Sequence, residues 1–180
     1  YVRGGETRGA RARHVVLACY NAVIPYLVPQ LPQEQKDALR EPAKVPLMYT
    51  NVFLRNWQAW KKLGISSFHA PGMYHSSGML DFPVSIGGYE CPRSPEEPIV
   101  AHMVRYPTTP GLPRREQNRA GMRELLATSF ETIELEIRRQ LGRILGGGGF
   151  DPAEDILAIT ANRWPHGYAY TPDTLADADV

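Results

Sequence analysis

Few of the residue groupings in this chain that invite chemistry keep the spacing that chemistry needs. The run Gly146 to Gly149 suggests a phosphate cradle, but it follows a helical stretch and precedes a strand-like one. A dinucleotide site needs strand, then glycines, then a helix whose N-terminus faces the phosphates, so here the helix dipole points the wrong way. Gly4-Gly5 has no helix after it, and no Walker or G-x-S-x-G pattern occurs. His69 and His75 flank a Pro-Gly loop without H-E-x-x-H spacing, so both read as loop or core histidines and no metal site is expected. Cys19 and Cys91 are too few and too distant for a zinc site or a disulfide framework.

Two segments stand above that background. The first, His14 to Trp57, reads HVVLACYNAVIPYLVPQLPQEQKDALREPAKVPLMYTNVFLRNW. It places Lys44 at the head of a β-rich run, where by itself a lysine reads as solvated. The second, Asn162 to Pro172 (NRWPHGYAYTP), gathers Trp164, Tyr168 and Tyr170. Taken alone these are strand aromatics packing a core, and Tyr168 and Tyr170, two apart, share one strand face.

The elements that must position these segments form a mixed α/β pattern. Tyr1 to Arg13 reads as polar hairpin edges around Gly4-Gly5 and Gly9. Val15 to Ala18 is a continuous apolar run of the kind found in a strand buried on both faces. Leu31-Pro32 opens a short helix over Gln33 to Arg40, which Pro42 stops. Val45 to Leu54 is a strand, and Asn56 to Trp60 a turn of helix whose two tryptophans belong to the core. Further strands are expected at Ile65 to His69, Phe82 to Ile86, Ile99 to Tyr106 and Ile156 to Thr160. Met122, Leu126, Phe130, Ile133, Ile137, Leu141 and Ile144 recur at spacings of four and three. That stripe predicts one amphipathic helix over residues 114–145, ~45 Å long at the usual rise, crossing the sheet.

At 180 residues the chain is long enough for a core, and a net charge of +1 gives no field to attract nucleic acid. No apolar run approaches the ~20 residues of a membrane span. The chain begins at Tyr1 and ends on a polar stretch, so both ends read as cut from something longer.

The order of buried strand, proline-bearing loop, Leu-Pro-initiated helix and lysine-headed strand resembles the flavin amine oxidase superfamily. VVLACYNAVIPYL, KVPLMYTNVFLRNW and NRWPHGYAY are similar to its bacterial spermidine dehydrogenase group. The resemblance implies an FAD-dependent oxidoreductase that removes hydride from the carbon beside an amine nitrogen. It puts Lys44 on the lysine that holds a water against flavin N5. Tyr170 falls on a tyrosine of the aromatic cage, with Tyr168 second, and Trp164 becomes a supporting wall beside cofactor and substrate. An amine cation gains from such aromatic faces.

As domains it implies residues 1–30 as the end of an FAD-binding domain, 31–160 as a substrate domain, and 161–180 as the start of the return. The implied partners are a small amine and an unspecified electron acceptor, in a bacterial cytoplasm or periplasm. Asp81, Glu90, Glu96 and Glu97 are available to bind the far ammonium groups of a polyamine, but their spacing singles out none of them. The pyrophosphate-binding G-x-G-x-x-G is missing from this sequence, as is any C-x-x-C-H for haem. Two other readings remain open: a module that folds without performing chemistry, and a flavin enzyme of a non-amine substrate.

Overall fold

The computed structural model describes residues 1–41 and 44–168, which fall into two compact units divided at Pro42/Ala43. The first unit holds a two-residue hairpin, β1 (Val2–Arg3) and β2 (Glu6–Thr7), and the helices α1 (Ile24–Leu27) and α2 (Gln33–Arg40). Helix α2 occupies the predicted residues, with Pro32 as its N-cap. Val15 to Ala18 forms no strand, and Val15 and Val16 are 74% and 87% exposed. An apolar run becomes a strand only where a neighbour accepts its hydrogen bonds. Among the described residues β1 and β2 pair only with each other.

The second unit is a five-stranded sheet with helices packed against one face. In chain order it comprises β3 (Val45–Leu54), α3 (Gln58–Leu63), β4 (Ser67–His69), β5 (Ser77–Leu80), β6 (Ile99–Arg105), α4 (Arg114–Ala127), α5 (Phe130–Leu145), α6 (Pro152–Asp155) and β7 (Ile156–Tyr168). The strands lie in the order β4-β5-β6-β3-β7, and every pairing is antiparallel. The expected mixed α/β fold is present. No described helix is long and apolar enough to cross a membrane.

Alternation along β3 builds the core. Met48, Val52 and Leu54 point to the helical face with Ala101 and Met103 of β6, and meet Ile133, Ile137, Leu141 and Leu145 of α5. Trp60 is fully buried against Phe68, their ring centroids 6.0 Å apart, and Trp57 packs beside it. Trp60 is a core residue, as the spacing suggested, and Trp57 is partly buried against that core.

The single long helix is a correction. Thr128 and Ser129 are extended, and Ser129 Oγ accepts from the Thr132 N–H, so it closes α4 and caps a new helix. The break re-phases the apolar stripe. Leu125 is buried, while Leu126 and Phe130, both expected on the stripe, are exposed. Two strands are also corrected. Phe82 to Ile86 is a loop with one bridge from Ile86 to Tyr89, because Pro83 cannot donate to a ladder and Gly87 and Gly88 take positive φ. The strand at Ile156 runs on to Tyr168 rather than stopping at Thr160. Gly146 to Gly148 ends α5 as a 3-10 turn, and Gly149 takes a left-handed φ of 93°. The glycine run is thus a helix stop and not a cradle.

His75 is buried under the sheet, with Nε2 3.2 Å from Thr50 Oγ1. Its backbone N–H donates to Gln140 Oε1 at 2.8 Å, and Gln140 Nε2 returns a bond to its carbonyl. Burial, and then the Arg105 charge, push its pKa down to about 4, while the Gln140 bond opposes them. The unfolded chain therefore holds the extra proton between pH 4 and 6.5, and stability rises with pH through that window. On the order of 3 kcal/mol should be present above pH 6.5 and lost as pH falls toward 4. Denaturant midpoints between pH 4 and 7 should show this slope in the wild type and lose it in His75→Gln. Parallel curves for the two proteins would refute it.

Candidate functional site on the open sheet face

The helices cover one face of the sheet, and within this unit the other face is bare. Residues of β3 that alternate away from the core lie on it, including Tyr49 and Phe53, which are 37% and 38% exposed. Register sets their neighbours. Leu47 pairs with Trp164, Tyr49 with Asn162 and Val104, and Asn51 with Thr160 and His102.

One end of this face brings the two singled-out segments together. Val45 pairs with Tyr168, so Lys44, one residue before β3, stands beside the end of β7 although 124 positions separate Lys44 from Tyr168 in sequence. Lys44 is half-buried rather than solvated. Trp164 and Tyr168 are 55% and 59% exposed, so neither is the core aromatic that their residue types alone suggested. Tyr170 lies outside the described residues.

The local backbone explains this end. Between Val45 and Leu47 the register slips, two steps along β3 spanning four along β7. Pro46 and Pro165 sit at the slip, and neither has an N–H to give, which is why they are tolerated inside strands. Gly167 crosses so closely that an added Cβ would lie 2.4 Å from Leu47 Cδ2 and 2.9 Å from Val45 O. The bulge turns the Tyr168 end toward Tyr106, whose ring centroid is 6.3 Å away. Burial raises the Tyr106 pKa first, and the charge and hydrogen bond of Tyr168 raise it further. A cleft of about 560 Å³, lined by Leu126, Ala161, Asn162, Arg163 and Trp164, opens where β7 meets α4.

Farther along the same face a polar chain crosses three strands. Asn51 Nδ2 donates to Thr160 Oγ1 at 3.3 Å, and His102 Nδ1 lies 2.8 Å from Asn51 Oδ1. His102 Nε2 lies 3.1 Å from Asp81 Oδ1, just beyond β5. The Tyr49 ring leans over His102 with centroids 5.6 Å apart. Tyr49, Asn51, His102 and Tyr106 were not singled out in the sequence. For Tyr49 and Asn51 the period-two alternation within VPLMYTNVFL was the only signal there.

Among the described residues no cluster of His, Cys, Asp and Glu could hold a metal. As for FAD, the described residues include no strand–glycine–helix cradle for a pyrophosphate. Exposed aromatics and a half-buried lysine at the Tyr168 end do fit contact with the ring end of such a cofactor.

No family model matches the chain, and no curated protein matches it. A solved structure of a putrescine oxidase double mutant, made to redesign cofactor binding, aligns at 12% identity with a TM-score of 0.46. The alignment covers 74% of this chain and 24% of that one, so this chain spans about a quarter of that protein's length. A likeness this distant bears no part of the functional argument.

Proposed function

We propose that this chain is the substrate-side portion of an FAD-dependent enzyme that oxidises the C–N bond of a polyamine such as spermidine. One observation carries the reading. Two segments that separately resemble the flavin amine oxidases pair as neighbouring strands, with Val45 opposite Tyr168 and Leu47 opposite Trp164. Their side-by-side placement is not implied by either segment alone.

When bound, FAD supplies the two-electron acceptor for the hydride. The residues of this chain orient and desolvate the amine. Trp164 and Tyr168, with Tyr170 by resemblance, offer ring faces that attract a cation and hold its carbon in line for transfer. Lys44 contributes positive charge where negative charge develops. The oxidised amine is an imine, and its hydrolysis yields an aldehyde and a shorter amine. In this reading residues 1–30 and 161–180 belong to the flavin side and 31–160 to the substrate side.

Anaerobic addition of spermidine to the full-length protein should bleach its flavin absorbance. Tyr170→Ala should lower kcat/KM by about ten- to thirtyfold, with Tyr168→Ala lowering it less. Tyr170→Phe should cost less than either, because a ring face needs no hydroxyl. A flavin that no amine reduces would sink the reading. Equal losses in Tyr170→Ala and Tyr170→Phe would make the hydroxyl, and not the ring, the working group.

A further inference from the structure

Leu47 lies on the bare face of the sheet, yet it is only 7% exposed. In its cross-strand row Trp164 of β7 stands on one side. On the other stands Tyr106, one step past the Met48–Arg105 pair that ends the β6 ladder. Strands spaced ~4.8 Å put these two aromatic residues ~10 Å apart across Leu47. Tyr168, two positions along β3 at Val45, brings its ring to within 6.3 Å of the Tyr106 centroid with the planes 35° apart, and the two hydroxyls bond each other.

The two tyrosines of this pair are held very differently. Tyr106 sits between fixed neighbours. Arg105 before it donates to the Tyr74 carbonyl at 2.7 Å, lies 4.1 Å over the Tyr74 ring and pairs with Glu124 of α4. Pro107 after it has a locked φ, and its carbonyl is pressed against Gly121 of α4. Tyr168, by contrast, is the last residue of β7, follows Gly167 and the register slip, and is 59% exposed. An exposed ring in that position has several staggered wells open to it. Contact with Tyr106 selects one.

We propose that Tyr106 is a positioning residue for amine oxidation, fixing the ring of Tyr168 in the orientation that receives the substrate. This rests on the polyamine-oxidising reading above. A wall that must be ordered during binding subtracts that ordering from the affinity, whereas a wall already held does not. For one such ring the difference is about three- to tenfold in Kd. Tyr106 thereby carries the rigidity of β6 and α4 to the exposed rim of β7. The ligand it serves is an aliphatic amine laid against an aromatic face.

The test is anaerobic stopped-flow reduction of the flavin in the full-length protein by spermidine, which separates Kd from the limiting reduction rate. Tyr106→Ala should raise the spermidine Kd about three- to tenfold. Tyr106→Phe keeps the ring contact and should recover most of that loss. Tyr168→Ala should weaken binding at least as much, and adding Tyr106→Ala to it should cost nothing further, because no ring is left to hold. A merely structural role would lower Tm and the reducible fraction of flavin while leaving Kd as it was. An unchanged Kd in Tyr106→Ala, or a loss that adds to that of Tyr168→Ala, would overturn the positioning role and leave the proposed function standing. If no amine reduces the flavin, the proposed function falls, and calorimetric titration of spermidine decides the tyrosine pair separately. Affinity that Tyr106→Ala weakens in the wild type but not in Tyr168→Ala upholds it; absent or unaltered heat overturns it.

Discussion

Lys44→Met in the full-length protein is expected to slow turnover of spermidine by about a hundredfold or more while FAD stays bound. Methionine keeps the length and much of the apolar stem but removes the ammonium. Taking away one preorganised group that faces developing charge typically costs two to three powers of ten. Lys44 is suited to such a role because it is half-buried and sits one residue from the Val45–Tyr168 pair, where water screens a charge less than at the surface. The check is kcat together with the flavin-to-protein absorbance ratio. An unaltered kcat would remove Lys44 from the machinery. Loss of flavin along with the rate would make it a residue of cofactor retention instead.

The largest effect on stability is expected from Gly121→Ala. An added Cβ would stand 2.0 Å from the Pro107 carbonyl oxygen, 2.9 Å from its carbon and 3.2 Å from Pro46 Cγ. The first two atoms are backbone and cannot swing away, so α4 must lift from the sheet. A cost of about 3 kcal/mol follows from overpacking of this severity, or roughly 6–12 °C in Tm for a chain of this size. The lift also disturbs Pro46, two residues from Lys44, so a fall in kcat should accompany the fall in Tm. Thermal melting and turnover on one preparation test both; an unchanged Tm would show that the helix has room the structure does not.

How much of this was legible in the sequence depended on the distance over which the deciding interaction acts. Helix α2, the burial of Trp60 and the packing of Trp57 against the core all rest on local spacing, which a short window of sequence displays. The break at Thr128-Ser129 was also local, written as a serine ahead of Glu131 in the next first turn, but the regular apolar stripe masked it. Val15 to Ala18 and Phe82 to Ile86 carry strand-like composition without strand partners, and no window of sequence reports whether a partner exists. The polar chain through Asp81, His102, Asn51 and Thr160 was the least accessible. Its members lie on or beside four different strands, and only register brings them together.

Pro165 sets a limit on how far this sheet can grow. Among the described residues β7 pairs only with β3, so its outer edge is free to take another strand. Edge pairing needs donors at regular intervals, and at Pro165 the donor is missing while the bulge turns the backbone aside. A strand added to β7 therefore meets a regular ladder along Ile156 to Trp164 and loses a donor at Pro165. Edge association is thus weakest at the Tyr168 end, where the slip at Pro46 and Pro165 also breaks the regular spacing.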